Sequence, residues 1–110
     1  MADDYLIKVF LDDEKTGKLS AAGLDSHIAE ESGKKLIKVT LLQKNQRKFR
    51  KAFKDVVLND ETGEVDDFPQ EAADLLFDVV IENKSTDVMH LFLMKAFKPL
   101  AGKELRRAMH

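Results

Sequence analysis

Cysteine and tryptophan are both absent from this 110-residue chain. Without cysteine, disulfides, thiolate metal sites and a cysteine nucleophile are excluded, and the chain suits a reducing compartment. No Pro/Gly/Ser stretch is long enough to mark a linker, so the expectation is one domain over residues 1–110. The apolar runs are only a few residues long, too short to cross a bilayer as a helix. The start, Met1-Ala2-Asp3-Asp4, is acidic and lacks the basic region of a secretory signal. A soluble cytoplasmic protein is expected.

One further absence is local. Residues 32–54 contain no Asp or Glu, yet they hold nine Lys/Arg. The rest of the chain is blocked as well. Residues 1–31 sum to −5, residues 55–87 to −10 and residues 88–110 to +4, which leaves a net charge of −2. Such blocks either face each other inside the fold or face a charged partner. The apolar fraction of 44% is that of a globular protein, and the recurrence of Leu, Ile, Val and Phe argues against disorder.

Hydrophobic periodicity predicts a strand over Tyr5–Leu11, where Tyr5, Ile7, Val9 and Leu11 alternate with Leu6, Lys8 and Phe10. Asp12–Gly17 reads as a turn, Ser20–Ser32 as a helix stopped by Gly33, and Lys35–Leu42 as a second strand. The two strands are expected to pair, in either direction. Gln43–Leu58 predicts the clearest helix, with Phe49, Phe53 and Val56 at i, i+4, i+7. Asn59–Asp67 reads as a polar loop. Asp67 caps a helix from Phe68 to Asn83, expected to be central because Phe77 and Ile81 widen its apolar stripe. A helix over Val88–Phe97 is apolar almost all round, and a short basic helix is expected over Lys103–Met109. The fold class expected is α+β and mainly helical: a small N-terminal two-stranded sheet followed by three to four helices.

Residues suited to chemistry are few. His27, His90 and His110 are scattered, with no second ligand at metal-binding helical spacing. There is no Ser-His-Asp arrangement, phosphate-cradling glycine loop or HExxH pair. An enzyme is therefore not expected, and neither is a cofactor or a small-molecule substrate. Asp12, Glu14, Thr16, Gly17 and Leu19 fit positions 1, 3, 5, 6 and 8 of an EF-hand calcium loop, but position 12 is Gly23, where a bidentate carboxylate belongs. The resemblance to EF-hands is degenerate here and in the second Thr-Gly turn around Gly63.

Two surfaces are candidate partner-binding sites. On the middle helix Lys44, Arg47, Lys48 and Lys51 share a face, flanked by Arg50 and Lys54. Gln43, Asn45, Gln46 and Arg47 stand at its N-terminus, where groups that read base edges would sit. An alternative is that this face is solvated, or paired with Asp74, Asp78 and Glu82 of the acidic helix. On the apolar helix Met89, Leu93 and Phe97, with Met94, offer an adaptable face, unless they simply fill the core. The expectation is a non-catalytic interaction protein (an adaptor, assembly factor or regulator) that binds a protein partner or a second copy. A nucleic-acid-binding regulator using helix 43–58 is the alternative, and a calcium-responsive module the next. In composition alone the chain is similar to small charged proteins of phage and mobile elements, without a motif.

Overall fold

The computed structural model describes residues 4–96. A mixed five-stranded sheet, with helices against one face, organises them. Strand β1 (Tyr5–Phe10) lies at its centre, followed by helix α1 (Asp13–Ala21), strand β2 (Ala29–Glu31) and strand β3 (Lys34–Leu41). Helix α2 (Gln43–Ala52), strand β4 (Val57–Asn59), strand β5 (Glu64–Asp66) and helix α3 (Gln70–Asn83) come next. A last helix, α4, runs over 89–96, where the described residues end. The strand order is β2-β3-β1-β5-β4.

β1 and β3 pair antiparallel from Tyr5 opposite Leu41 to Phe10 opposite Leu36. This register puts Tyr5, Ile7 and Val9 beside Leu41, Val39 and Ile37 on one face, and all six are buried. The helices bury the sheet on that side with Leu19, Phe49, Leu76, Phe77, Val80, Phe92 and Leu93. β1 also pairs with β5, in parallel, through Leu6 opposite Glu64.

The expected small two-stranded sheet is corrected by these pairings. Three strands of three residues each extend it to five. A three-residue strand is too short to display a period of two, so the sequence pattern alone shows β2 as the end of a helix, β4 as the end of the middle helix, and β5 as loop. Turn geometry makes the hairpins. Ser32 and Gly33 hold φ of 52° and 77°, the paired positive values of a tight two-residue hairpin. Gly33 therefore turns β2 into β3 and stops no helix. Between β4 and β5, Gly63 has φ of 71°, and the Asn59 side chain accepts hydrogen bonds from the backbone N–H groups of Glu61 (2.9 Å) and Thr62 (3.3 Å).

Asp12–Gly17 is not a turn either. Asp12 caps α1 by accepting the Lys15 backbone N–H at 2.8 Å, and Asp13 and Glu14 occupy the first turn, where the helix dipole favours acids. Asp67 does not cap α3: it sits at φ of 59°, and Pro69 precedes the first helical residue. The helix expected over Lys103–Met109 lies outside the described residues.

The other face of the sheet carries charge. Lys8, on central β1, bonds to Glu31 of β2 at 3.0 Å and also to Glu64 of β5, so one ammonium ties the central strand to two others. Lys38 of β3 adds a longer contact to Glu31, 3.6 Å. These hydrogen bonds raise the Lys8 pKa and, led by the bond from Lys8, hold the Glu31 pKa below its ordinary value.

Two outcomes follow. A depressed Glu31 contributes stability that is present above its unfolded pKa and lost as pH falls through its folded one. Glu31→Gln should therefore lower the melting temperature at neutral pH and leave a shallower acid limb, measured by thermal denaturation from neutral to acid pH. Phe49 is fully buried between Phe53 (ring centroids 5.1 Å) and Phe68 (5.8 Å). Phe49→Ala should cost about 3–5 kcal/mol in denaturant titration, the range for emptying a buried aromatic site.

Candidate functional site

α2 begins directly after β3, with Leu42 between them. Its four N-terminal N–H groups meet no acid in its own first turn. A distant residue supplies one: Asp4, ahead of β1, accepts the Gln43 backbone N–H at 3.1 Å. At the other end the Phe53 N–H closes the helix onto the Phe49 carbonyl at 2.9 Å.

The rotation of α2 about its axis is fixed by what it buries. Asn45 and Phe49 point into the protein, and Phe53, just past the helix end, follows them. Phe53 stacks on Phe92 of α4 at 5.7 Å and meets Phe68 edge-on at 5.3 Å. At 3.6 residues per turn, Lys44, Arg47, Lys48, Arg50 and Lys51 then occupy an arc of about 160° centred opposite Phe49. All five are exposed, and so is Lys54 in the turn that follows. The structure thus brings together the six cations singled out in the sequence.

Among the described residues, none of these six has a carboxylate within ion-pair distance. The ion pairs there involve Lys8, Lys15, Lys18, Lys38 and Lys95. The acids considered as intramolecular partners for α2 point elsewhere. Asp74 takes Lys15 of α1 at 2.8 Å, and Glu82 takes Lys95 of α4 at 2.6 Å. The bond from Lys15 holds the Asp74 pKa down, with help from Gln70.

The amides at the N-terminus of α2 are not presented in the same way. Asn45 is 7% exposed and Gln46 is half-buried, which leaves Gln43 as the exposed amide of the three. Base edges need donors and acceptors that reach outward, and the buried amide is withdrawn from that use.

The apolar candidates are corrected. Met89 and Leu93 are 3% and 2% exposed and belong to the core, together with Val88 and Phe92. Phe97 lies outside the described residues. The exposed apolar side chains of α4 are Leu91 and Met94, which fall on the opposite side of the helix. The calcium-loop reading is also overturned. Asp12, Glu14, Thr16 and Gly17 form the cap and first turns of α1, so they do not encircle a common centre. The described residues contain no group of three His, Asp or Glu suited to a metal ion. An open concavity of about 510 Å³ between α1 and α3 is lined by Lys18, Ala21, Ala22, Asp78, Ile81, Glu82 and Lys84, without a histidine or hydroxyl nucleophile.

Two features of the site had no sequence signal. Tyr5, buried on β1, donates its hydroxyl to Asp60 of the β4–β5 loop, and this bond, with burial, raises the Tyr5 pKa; Arg50 acts on the same hydroxyl in the opposite direction. The base of α2 and the acidic loop are therefore neighbours. The other is the Asp4 cap, a contact across 39 positions of sequence.

Because the cations of α2 hold no ion pair among the described residues, reversing some of them should not weaken the fold. Lys44→Glu combined with Lys48→Glu removes like-charge repulsion and puts an acid in the first turn, and should leave stability unchanged or raise it by up to about 1 kcal/mol. Thermal melts at low ionic strength check this. Added salt should raise the melting temperature of the native protein more than that of the variant.

No curated protein and no solved structure matches the chain significantly. One family does match, over residues 5–93, a span that runs from the first residue of β1 into α4 and takes in α2 with its whole basic face. The chain accordingly belongs to this family, described as a family of unknown function (DUF6955).

Proposed function

We propose that the protein is a non-catalytic interaction module that docks an acidic surface of a protein partner against the outward face of α2. The observation that carries this reading is the set of six exposed cations, Lys44, Arg47, Lys48, Arg50, Lys51 and Lys54, which have no carboxylate partner among the described residues. A solvated helix needs no such bias of sign, since mixed charges at i, i+4 would serve solubility and stability better. Electrostatic complementarity of this kind steers encounter and fixes which partner is accepted.

A protein partner is favoured over nucleic acid on two grounds. Asn45 is buried, which removes a base-reading amide from the helix N-terminus. The basic face is also followed by an acidic segment, with Asp60, Glu61, Glu64, Asp66, Asp67 and Glu71 between residues 60 and 71 and no Lys or Arg. A long polyanion that tracked along the protein would meet that segment and be repelled, whereas a compact acidic surface matches the short patch.

The test uses a fluorescent Asp/Glu-rich peptide and a random-sequence DNA duplex as probes, titrated across a salt series. The peptide should bind at low ionic strength, weaken with salt, and lose at least about tenfold in affinity with the Lys44→Glu/Lys48→Glu variant. Tighter binding of the duplex than of the peptide, with a steep salt slope abolished by the same variant, would replace this reading with the nucleic-acid one. Binding of neither probe at low salt would overturn both.

A further inference from the structure

Consecutive residues at the start of β1 hold both α2 and the β4–β5 loop. Asp4 accepts the Gln43 backbone N–H that opens α2, at 3.1 Å. Tyr5, 5% exposed and opposite Leu41 at the end of β3, donates its hydroxyl to Asp60. The Leu6 N–H bonds to the Gly63 carbonyl at 2.8 Å. The helix and the loop are thereby anchored beside each other at one strand end. The loop backbone is fixed from within as well. The Gly63 N–H returns to the Asn59 carbonyl at 2.8 Å, and the Asn59 side chain accepts from Glu61 and Thr62. Asp60 keeps one freedom, the direction of its exposed side chain.

Two groups compete for that carboxylate. One is the Tyr5 hydroxyl. The other is Arg50, an exposed member of the basic face with no ion pair among the described residues. The Asp60 bond raises the Tyr5 pKa and the charge of Arg50 works against that rise, so the cation lies within electrostatic range of the same hydroxyl. α2 is seated by Phe49 and does not turn, so where Asp60 is held decides whether it meets Arg50. A hydroxyl donated to a carboxylate is charge-assisted, whereas an ion pair in open solvent gains little. The Tyr5 bond therefore wins. Core packing does not need this hydroxyl, since a phenylalanine ring would fill the same space.

We infer that Tyr5 is a positioning residue for the basic face of α2: its hydroxyl holds Asp60 off Arg50, so that an acid of the protein itself does not occupy the face an acidic partner would take. Asp60 is then a built-in competitor, kept in check by one hydrogen bond. The consequence for binding rests on the docking role proposed for α2. The contact itself does not.

Two measurements test this, and the first needs no ligand. A double-mutant cycle between Arg50→Gln and Asp60→Asn is read by thermal melts at low salt, in the native chain and again with Tyr5→Phe. The coupling should be small in the native chain. With Tyr5→Phe it should be larger, favourable and erased by salt. A coupling no larger with Tyr5→Phe than without it overturns the inference. The second measurement titrates the fluorescent Asp/Glu-rich peptide at low salt. Tyr5→Phe should bind it at least about threefold more weakly, and Tyr5→Phe/Asp60→Asn should recover the native affinity. A hydroxyl that merely braced the loop would not be rescued by removing the acid, so a double variant as weak as Tyr5→Phe also overturns the inference. A native chain that binds no peptide removes the docking role alone, and the cycle still decides the contact. Tyr5→Phe keeps the ring that packs in the core, and its melting temperature checks that it folds.

Discussion

The burial of Phe49 is the constraint on which the character of this surface depends. Its ring sits between Phe53 and Phe68, and Phe53 in turn stacks on Phe92, so α2, the segment before α3 and α4 are locked together by one aromatic group. A helix held by such a group cannot roll. Every cation of α2 is then fixed on the side away from the core, and none can swing round to reach the acids of α3. The apolar contact thus determines an electrostatic outcome: the energy that seats the helix also keeps its charges out of ion-pair reach of the carboxylates among the described residues.

The charge blocks look different in this light. Blocking along the sequence does not by itself imply a free surface, and members of all four blocks find partners within the fold, Lys38 of the basic block included. Lys8 draws Glu31 and Glu64 together across the open face of the sheet, Lys15 reaches Asp74, and Lys95 reaches Glu82. These pairs are partly exposed, and each contributes modestly to stability. What they do settle is the direction of the acids on α3. Asp74 is turned toward α1 and Glu82 toward α4, so neither meets a cation of α2.

Much of the central frame was legible in the sequence, because β1, β3, α2 and α3 are long enough to display their periods. The alternation of Ile37, Val39 and Leu41 and the stripe from Ala72 to Val80 are signals repeated several times over. What escaped was short or contextual. Val57–Asn59 and Glu64–Asp66 are strands only because β1 offers them an edge to build on, and nothing in three residues announces that. Lys15–Leu19 was obscured by Gly17, which suggested a turn, although Asp12 as cap and two acids behind it favour a helix start. The basic residues of the site were legible because charge and helical spacing are both local properties. Their freedom was not, since it depends on where Asp74 and Glu82 find partners in three dimensions. The same limit explains Met89 and Leu93: a helix apolar all round does not declare which side the core will take, and here the core took theirs and left Leu91 and Met94 outside.

The proposed contact follows from how α2 is held. One short basic face would bind an acidic surface with an affinity set by few charges and eroded by salt. With the Phe49 cluster already fixing α2, its backbone would lose little further freedom on docking, so less of the binding energy would go into ordering the protein. Such a contact needs no deep burial, which fits a small domain whose core is already committed to holding α2 in place.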